Sequence, residues 1–304
     1  MSFAIQISDL RKSYDKVRAL DGLDLQVIRG EMLGLIGPDG AGKTTTLRIL
    51  CGLLDADSGE CFVNDKNVKT ELKEIHTFIG YMPQKFSLYP DLTVSENLRF
   101  FADLFGVPKT EREKRLQRLL HFSKLEPFSK RKAMALSGGM KQKLALSCTL
   151  IHTPQILLLD EPTTGVDPVS RKEFWDILGD LKSEGVTILV TTPYMDEAAK
   201  CDHVAFIHNG RILTMEKPQD IPGLFHGHLF ELRCKNAVNV AKLFQAKQGI
   251  DSVQIFGDRL HVSGEDISEM EKTIKSLLEM ESISDYTLRP IPANIEDVFV
   301  DLMK

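Results

Sequence analysis

The sequence predicts an α/β fold organised around a parallel sheet, with a smaller α+β appendage behind it. Two observations predict the sheet. Met32–Ile36, Ile156–Leu159 and Val186–Val190 are short, predominantly apolar runs, the kind that mark strands buried on both faces, and segments of helical spacing alternate with them. A third observation predicts the appendage: after Gly210 the pattern changes to a second alternation of strands and helices. The length of 304 residues exceeds the usual span of one compact domain, and 42% apolar content suffices for a sizeable core.

Strands are expected at Ala4–Leu10 and Leu20–Val27, both partly alternating, and then at Met32–Ile36, which ends at a glycine. The following GPDGAGKTT, Gly37 to Thr45, fits G-x-x-x-x-G-K-[ST] and leads into the helical stretch TTLRILCGLL. Gly37, Gly40 and Gly42 let the backbone curl so that successive N–H groups converge on phosphate oxygens at a helix N-terminus. Pro38, Asp39, Ala41 and Thr45 complete the lining of that loop. Lys43 supplies a mobile positive charge for the β- and γ-phosphates, and Thr44 a hydroxyl for a Mg²⁺ ion bridging them. A glycine turn that merely caps a helix is the plainer alternative.

Further along, ILLLDEP, Ile156 to Pro162, is a buried strand ending in two carboxylates. Asp160 is placed to hold the metal and Glu161 to take a proton from an attacking water. Alone, such a pair also fits a solvated turn; the phosphate loop upstream favours the catalytic reading. Between the two lies LSGGMKQKLAL, where Ser137 caps a helix and Gly138 and Gly139 leave its N–H groups open, a second receptor for phosphate.

These three motifs in this order resemble the nucleotide-binding domain of ABC transporters over residues 1–220, so that the expected fold is a P-loop NTPase of the ABC ATPase type with a helical subdomain near 86–150. The resemblance implies two such domains facing head to tail, with ATP held between the phosphate loop of one and the Ser137–Gly139 helix of the other. It also implies that Tyr14 stacks on adenine, the alternative being an ordinary strand-end tyrosine. Gln84, in GYMPQKFSLYP, would approach the metal and the attacking water, and Lys85 to Glu96 would face a transmembrane partner. In TTGVDP, Asp167 would communicate between the two ATP sites. One position departs from the family: TTPYMDEA carries Pro193 where a histidine usually contacts the γ-phosphate. Proline offers neither a side-chain donor nor an N–H, so slow turnover by two identical copies, or pairing with a different ATPase subunit, is expected; the plainer alternative is a loop that tolerates proline because Glu161 carries most of the catalysis.

Lys217–Gly227, rich in proline and glycine, is read as a linker to a second domain at 228–304. There LFELRC suggests a strand, NVAKLFQAK a helix, VQIF-GD-RLHV a hairpin, SEMEKTIKSLLEME a helix and DYTLRPI a strand. This βαββαβ order fits a ferredoxin-like unit. Its closing ANIEDVFVDLM resembles the tail of ATPase subunits of the ABC-2 export type, which suggests a structural, dimer-stabilising or regulatory module.

Composition narrows the function. With 38 basic against 43 acidic residues the net charge is −5, giving no basic excess for a nucleic-acid partner. Cys51, Cys61, Cys148, Cys201 and Cys234 form no CxxC pair, which fits a reduced cytoplasmic chain. His76, His121, His152 and His203 lack ligand spacing, and Lys130–Lys132 reads as a solvated loop. Neither a leader peptide nor a spanning helix is apparent, so a membrane role would pass through a permease subunit of the ABC-2 type, with this chain peripheral on the inner face. The expected activity is ATP hydrolysis driving export, with ATP and Mg²⁺ as ligands. A degenerate ATP-gated subunit and a soluble ABC ATPase are the alternatives. The cargo is not legible.

Overall fold

The computed structural model describes residues 2–85, 88–245 and 247–303. The chain divides into two compact units, Met1–Pro218 and Gln219–Lys304.

The first unit opens with β1 (Phe3–Tyr14), β2 (Val17–Ile28), β3 (Met32–Ile36) and α1 (Lys43–Leu50). It continues through β4 (Ser58–Val63), β5 (Lys66–Asn67), α2 (Leu72–Ile75), β6 (Ile79–Met82), α3 (Val94–Leu104), α4 (Lys109–Phe122) and α5 (Gly138–Leu150). The remaining elements are β7 (Ile156–Asp160), α6 (Pro168–Ser183), β8 (Thr187–Thr192), α7 (Met195–Ala198), β9 (His203–His208) and β10 (Arg211–Glu216). Among the described residues two sheets form, in the orders β2-β1-β4-β5 and β10-β9-β3-β8-β7-β6.

The larger sheet is parallel from β9 to β6, with β10 antiparallel at its edge. Every residue of β3, β7 and β8 is buried, so these runs need no polar alternation. The smaller sheet is antiparallel throughout and takes in the two early strands read at Ala4–Leu10 and Leu20–Val27, apart from the parallel one. Its strands alternate, as strands with one buried face do, and register shifts near Asp9 and Arg11 let β1 run on to Tyr14. The helix read through CGLL stops at Leu50, with Gly52 in the left-handed region. Helices α3, α4 and α5 pack on one another within the span expected for the helical subdomain, whose opening positions 86 and 87 lie outside the described residues.

The second unit runs β11 (His228–Cys234), α8 (Ala237–Phe244), β12 (Ser252–Phe256), β13 (Arg259–Gly264), α9 (Ile267–Met280), β14 (Tyr286–Pro290) and α10 (Ile295–Leu302). Its four strands are antiparallel in the order β12-β13-β11-β14. Phe230, Leu232, Leu260 and Val262 pack with Phe244, Met270, Ile274 and Leu278 of the helices. The opposite sheet face carries Glu231, aligned with His261 on one neighbour and Arg289 on the other. Two sequence boundaries shift. Residues 219–227, read as linker, belong to this unit and contribute the fully buried Ile221. The helix read as NVAKLFQAK ends at Phe244, because Gln245 turns extended; Ala246 lies outside the described residues.

Candidate nucleotide site

The site begins where β3 runs out. Gly37 follows directly, and a Cβ there would meet the Ile207 carbonyl at 2.2 Å. Gly42, the N-cap of α1, has φ of 114° and lies against the Ala19 carbonyl, so no other residue fits without displacement. The first turn of α1 holds no acidic residue, leaving its N–H groups and positive end free to attract an anion.

Lys43, 4% exposed, folds back over the loop. Its ammonium donates to the Gly37 carbonyl at 2.7 Å and the Pro38 carbonyl at 3.1 Å, and pairs with Glu161 Oε1 at 3.2 Å. The next residue points to the other carboxylate: Thr44 Oγ1 donates to Asp160 Oδ1 at 2.9 Å. Asp160 ends β7 at 1% exposure and also accepts from Thr191 Oγ1 at 2.9 Å. Burial pushes its carboxyl above the ordinary range; the two hydroxyls oppose that shift, and the neighbouring Glu161 charge adds to it.

Glu161 adopts φ of 47°, a left-handed conformation that costs a β-carbon residue about 1 kcal/mol. Its N–H holds the turn by donating to Thr191 at the carbonyl, 3.1 Å, and the hydroxyl, 3.0 Å. Gln84 Nε2 donates to Glu161 Oε2 at 2.8 Å. Thus Lys43 and Thr44, Gln84, and Asp160 and Glu161, drawn from three places in the first unit, form one network whose two halves Thr191 links. Thr191 joins it without having been singled out. The available signal was the polar pair that finishes the apolar strand TILVTT.

The other expected residues stand elsewhere. Ser137 caps α5, its Oγ accepting from Met140 N–H at 3.3 Å, and Gly138 opens that helix. Gly139 lies against Ser170, where a Cβ would come within 2.2 Å, so this motif packs on the start of α6. Asp167 caps α6 by accepting from Ser170 N–H at 2.9 Å, and that bond holds its carboxyl below the usual range. Tyr14 ends β1, 44% exposed, with the Lys12 ammonium 6.0 Å from its ring. Pro193 follows β8, where Tyr194 N–H turns back to Thr192 Oγ1 at 3.1 Å.

A glycine loop at a strand-to-helix junction, a lysine above it and a buried acid beside a threonine together define a phosphate-loop nucleotide-binding protein. The family model described as ABC transporter matches residues 20–164. The chain is 40% identical over 288 residues to the probable multidrug ABC transporter ATP-binding protein YbhF of Escherichia coli, covering 94% of this chain and 49% of that one. It therefore spans about half the length of that relative. It is 36% identical over 304 residues to the Nod factor export ATP-binding protein I of Ralstonia nicotianae, covering 98% of this chain and 93% of that one. Among solved structures, an ATP-binding subunit of an ABC transporter matches at 31% identity with a TM-score of 0.65, over 73% of this chain and 92% of its own. A dimeric ATP-binding cassette in a post-hydrolysis state with ADP and Pi matches at 28% identity with a TM-score of 0.64, over 70% and 98%. This chain belongs to the ABC transporter family, as one of its ATP-binding proteins.

Proposed function

We propose that the chain is the ATP-hydrolysing subunit of an export transporter, and that ATP closes it against a second ATPase subunit to drive a membrane-spanning partner. The observation that carries this reading is the single network joining Lys43, Thr44, Gln84, Asp160 and Glu161 at the phosphate loop. Lys43 exchanges its carbonyl contacts for phosphate oxygens, and the α1 N–H groups close around the same anion. Glu161, oriented by Gln84, takes the proton of the attacking water.

The donor set suits Mg²⁺. Thr44 and Asp160 present hard oxygens, and Asp160 is a buried acid hydrogen-bonded to two hydroxyls, a set that a divalent cation would complete. Among the described residues no group of three or more His, Cys, Asp or Glu could hold a metal unaided, so the remaining ligands would come from phosphate, water and Gln84. When bound, the ion offsets charge on the β- and γ-phosphates.

Ser137, Gly138 and Gly139 would serve the partner subunit's nucleotide, and Gly139 lies against Ser170, next to the Asp167 cap of α6. That cap would carry the signal between the two sites, and Tyr14, exposed at its strand end, would take adenine. The partner in the membrane is a permease of the ABC-2 type, met through Lys85–Glu96, of which positions 86 and 87 lie outside the described residues. A cleft of about 470 Å³ lined by Lys85, Leu88, Pro90, Met134 and Lys141 supports that surface. Among the described residues no helix is long and apolar enough to cross a membrane, and a place on the cytoplasmic face through the permease fits this. In the second unit the βαββαβ order and the sheet order β12-β13-β11-β14 support a ferredoxin-like reading, and a structural or dimer-stabilising role.

Phosphate release by the chain co-purified with its permease tests the proposal. Glu161→Gln is expected to keep ATP binding and lose at least about a thousandfold in turnover. Undiminished turnover in that variant refutes the assignment. Pro193 favours a second reading, a slow subunit paired with a more active one. Pro193→His is then expected to accelerate a self-pair on the order of a hundredfold, by restoring one transition-state donor. An unchanged rate would show that Glu161 suffices without it.

A further inference from the structure

Glu197, in the short helix α7, is completely buried at 0% exposure and has no part in the proposed reaction. A carboxylate in such a place persists only where donors surround it. Its Oε1 accepts from Thr163 Oγ1 at 2.6 Å, and its Oε2 accepts from the Thr192 hydroxyl. Arg171 of α6 contributes charge rather than a bond: its Nε stands 3.6 Å from Oε1, and its guanidinium lies over the Tyr194 ring at 4.2 Å. The two hydroxyls come from the two segments that flank the candidate site. Thr163 lies two positions after Glu161, and Thr192 immediately precedes Pro193.

We propose that Glu197 is a positioning residue that ties the loop behind Glu161 to the strand end before Pro193, so that the two segments move as one piece. The tie continues outward, because Thr192 Oγ1, while donating to Glu197, accepts from Tyr194 N–H at 3.1 Å. On the other side Val166 N–H closes the Thr163 loop on the Thr163 carbonyl at 3.1 Å. Thr191, beside Thr192, holds both the Asp160 carboxylate and the Glu161 N–H. A displacement at either threonine therefore reaches the proposed base. Proline at position 193 brings no side-chain donor to the residue that follows this strand end. Glu197 fixes the strand end from behind instead. The consequence for turnover rests on the ATPase reading above; the mechanical tie does not.

Amide hydrogen exchange of the ligand-free full chain tests the tie, alongside turnover and ATP affinity. Thr163→Val removes one hydroxyl at nearly constant volume and leaves the Tyr194–Thr192 bond intact. It is expected to speed exchange of the Tyr194 amide about tenfold, lower kcat on the order of tenfold and leave the Kd for ATP within about twofold. Thr163→Ser, which keeps the hydroxyl, is expected to hold the exchange rate and kcat at their unaltered values. If Thr163→Val fails to fold, Thr192→Val is read at the Val166 amide in the same way. An amide on the opposite segment that exchanges at the unaltered rate overturns the proposal, as does a valine variant with unaltered kcat in an active enzyme. If the unaltered chain shows no turnover at all while the opposite amide still responds, the ATPase reading fails and the tie stands.

Discussion

Asp160 in the first unit and Glu231 in the second are both buried acids on strands, yet their surroundings push them in opposite directions. Asp160 has two neutral hydroxyls at 2.9 Å, and burial wins, raising its carboxyl above the ordinary range. Burial acts upward on Glu231 as well. It is outweighed there by hydrogen bonds and charge from Arg233 and Arg289, so that carboxyl sits below its usual value. Glu231 Oε1 accepts from Arg233 Nε at 3.1 Å and Arg289 Nε at 3.0 Å, while Oε2 accepts from Arg259 Nη1 at 3.2 Å. A buried acid that the chain pairs fully cements a sheet. One left to hydroxyls remains available to a cation from outside.

Exchanging each acid for its amide tests that contrast, with the largest effect at the first. Asp160→Asn is expected to reduce ATP turnover at least about a hundredfold, because the amide cannot serve as an anionic metal ligand. The same change is expected to stabilise the ligand-free chain by about 1 kcal/mol at neutral pH, as removal of strained functional groups commonly does. The sign follows from the raised carboxyl. In the window above the unfolded value the native state binds more protons, so its stability falls as pH rises, and asparagine removes that loss. The gain should vanish in acid, where both forms are neutral; thermal unfolding across pH checks it. A destabilising Asp160→Asn would mean that the hydroxyls satisfy the charge after all.

Glu231→Gln should have the opposite sign and a moderate size, about 2 kcal/mol lost from the second unit at neutral pH, since three guanidinium groups would share no anion. Here the folded carboxyl is depressed. Its contribution is complete above the unfolded value and is lost as pH falls through the folded one, so wild type and variant should converge in acid. Denaturant unfolding followed in the second unit measures both the loss and the convergence. Equal stability of the two proteins at neutral pH would place Glu231 with exposed pairs of little net worth.

What the sequence made legible follows the same division between local and distant causes. The phosphate loop and the strand end at Asp160 were readable because each is written in consecutive residues whose chemistry is local. Thr191 was not, since its value lies in reaching Asp160 and Glu161 from the adjacent strand β8. Glu197 was hidden for the same reason: in TTPYMDEA it is one acid among two, and only the packing decides that Glu197 is buried while Asp196 faces outward. The antiparallel sheet of β1, β2, β4 and β5 also escaped, because alternation shows that one face is buried but not which strands pair. In the second unit the element order was plain, whereas Ile221 looked like linker because Pro222 and Gly223 beside it carry the composition of a loop.

The smallest effect compares thiols in the two units. Cys51, Cys61, Cys148 and Cys201 of the first unit are buried, while Cys234 at the end of β11 is half-buried. Burial pushes the Cys61 thiol up to about 12 and raises the others as well, Cys234 among them. All five therefore hold little thiolate near neutral pH, and access decides the order of reaction. Under mild alkylation at pH 8, monitored by intact mass and peptide mapping, one slow modification is expected, at Cys234, with the remaining four appearing together only when the first unit unfolds. Early labelling of Cys61, which sits on β4 of the smaller sheet, would show that this sheet opens separately from the parallel one that carries the nucleotide site.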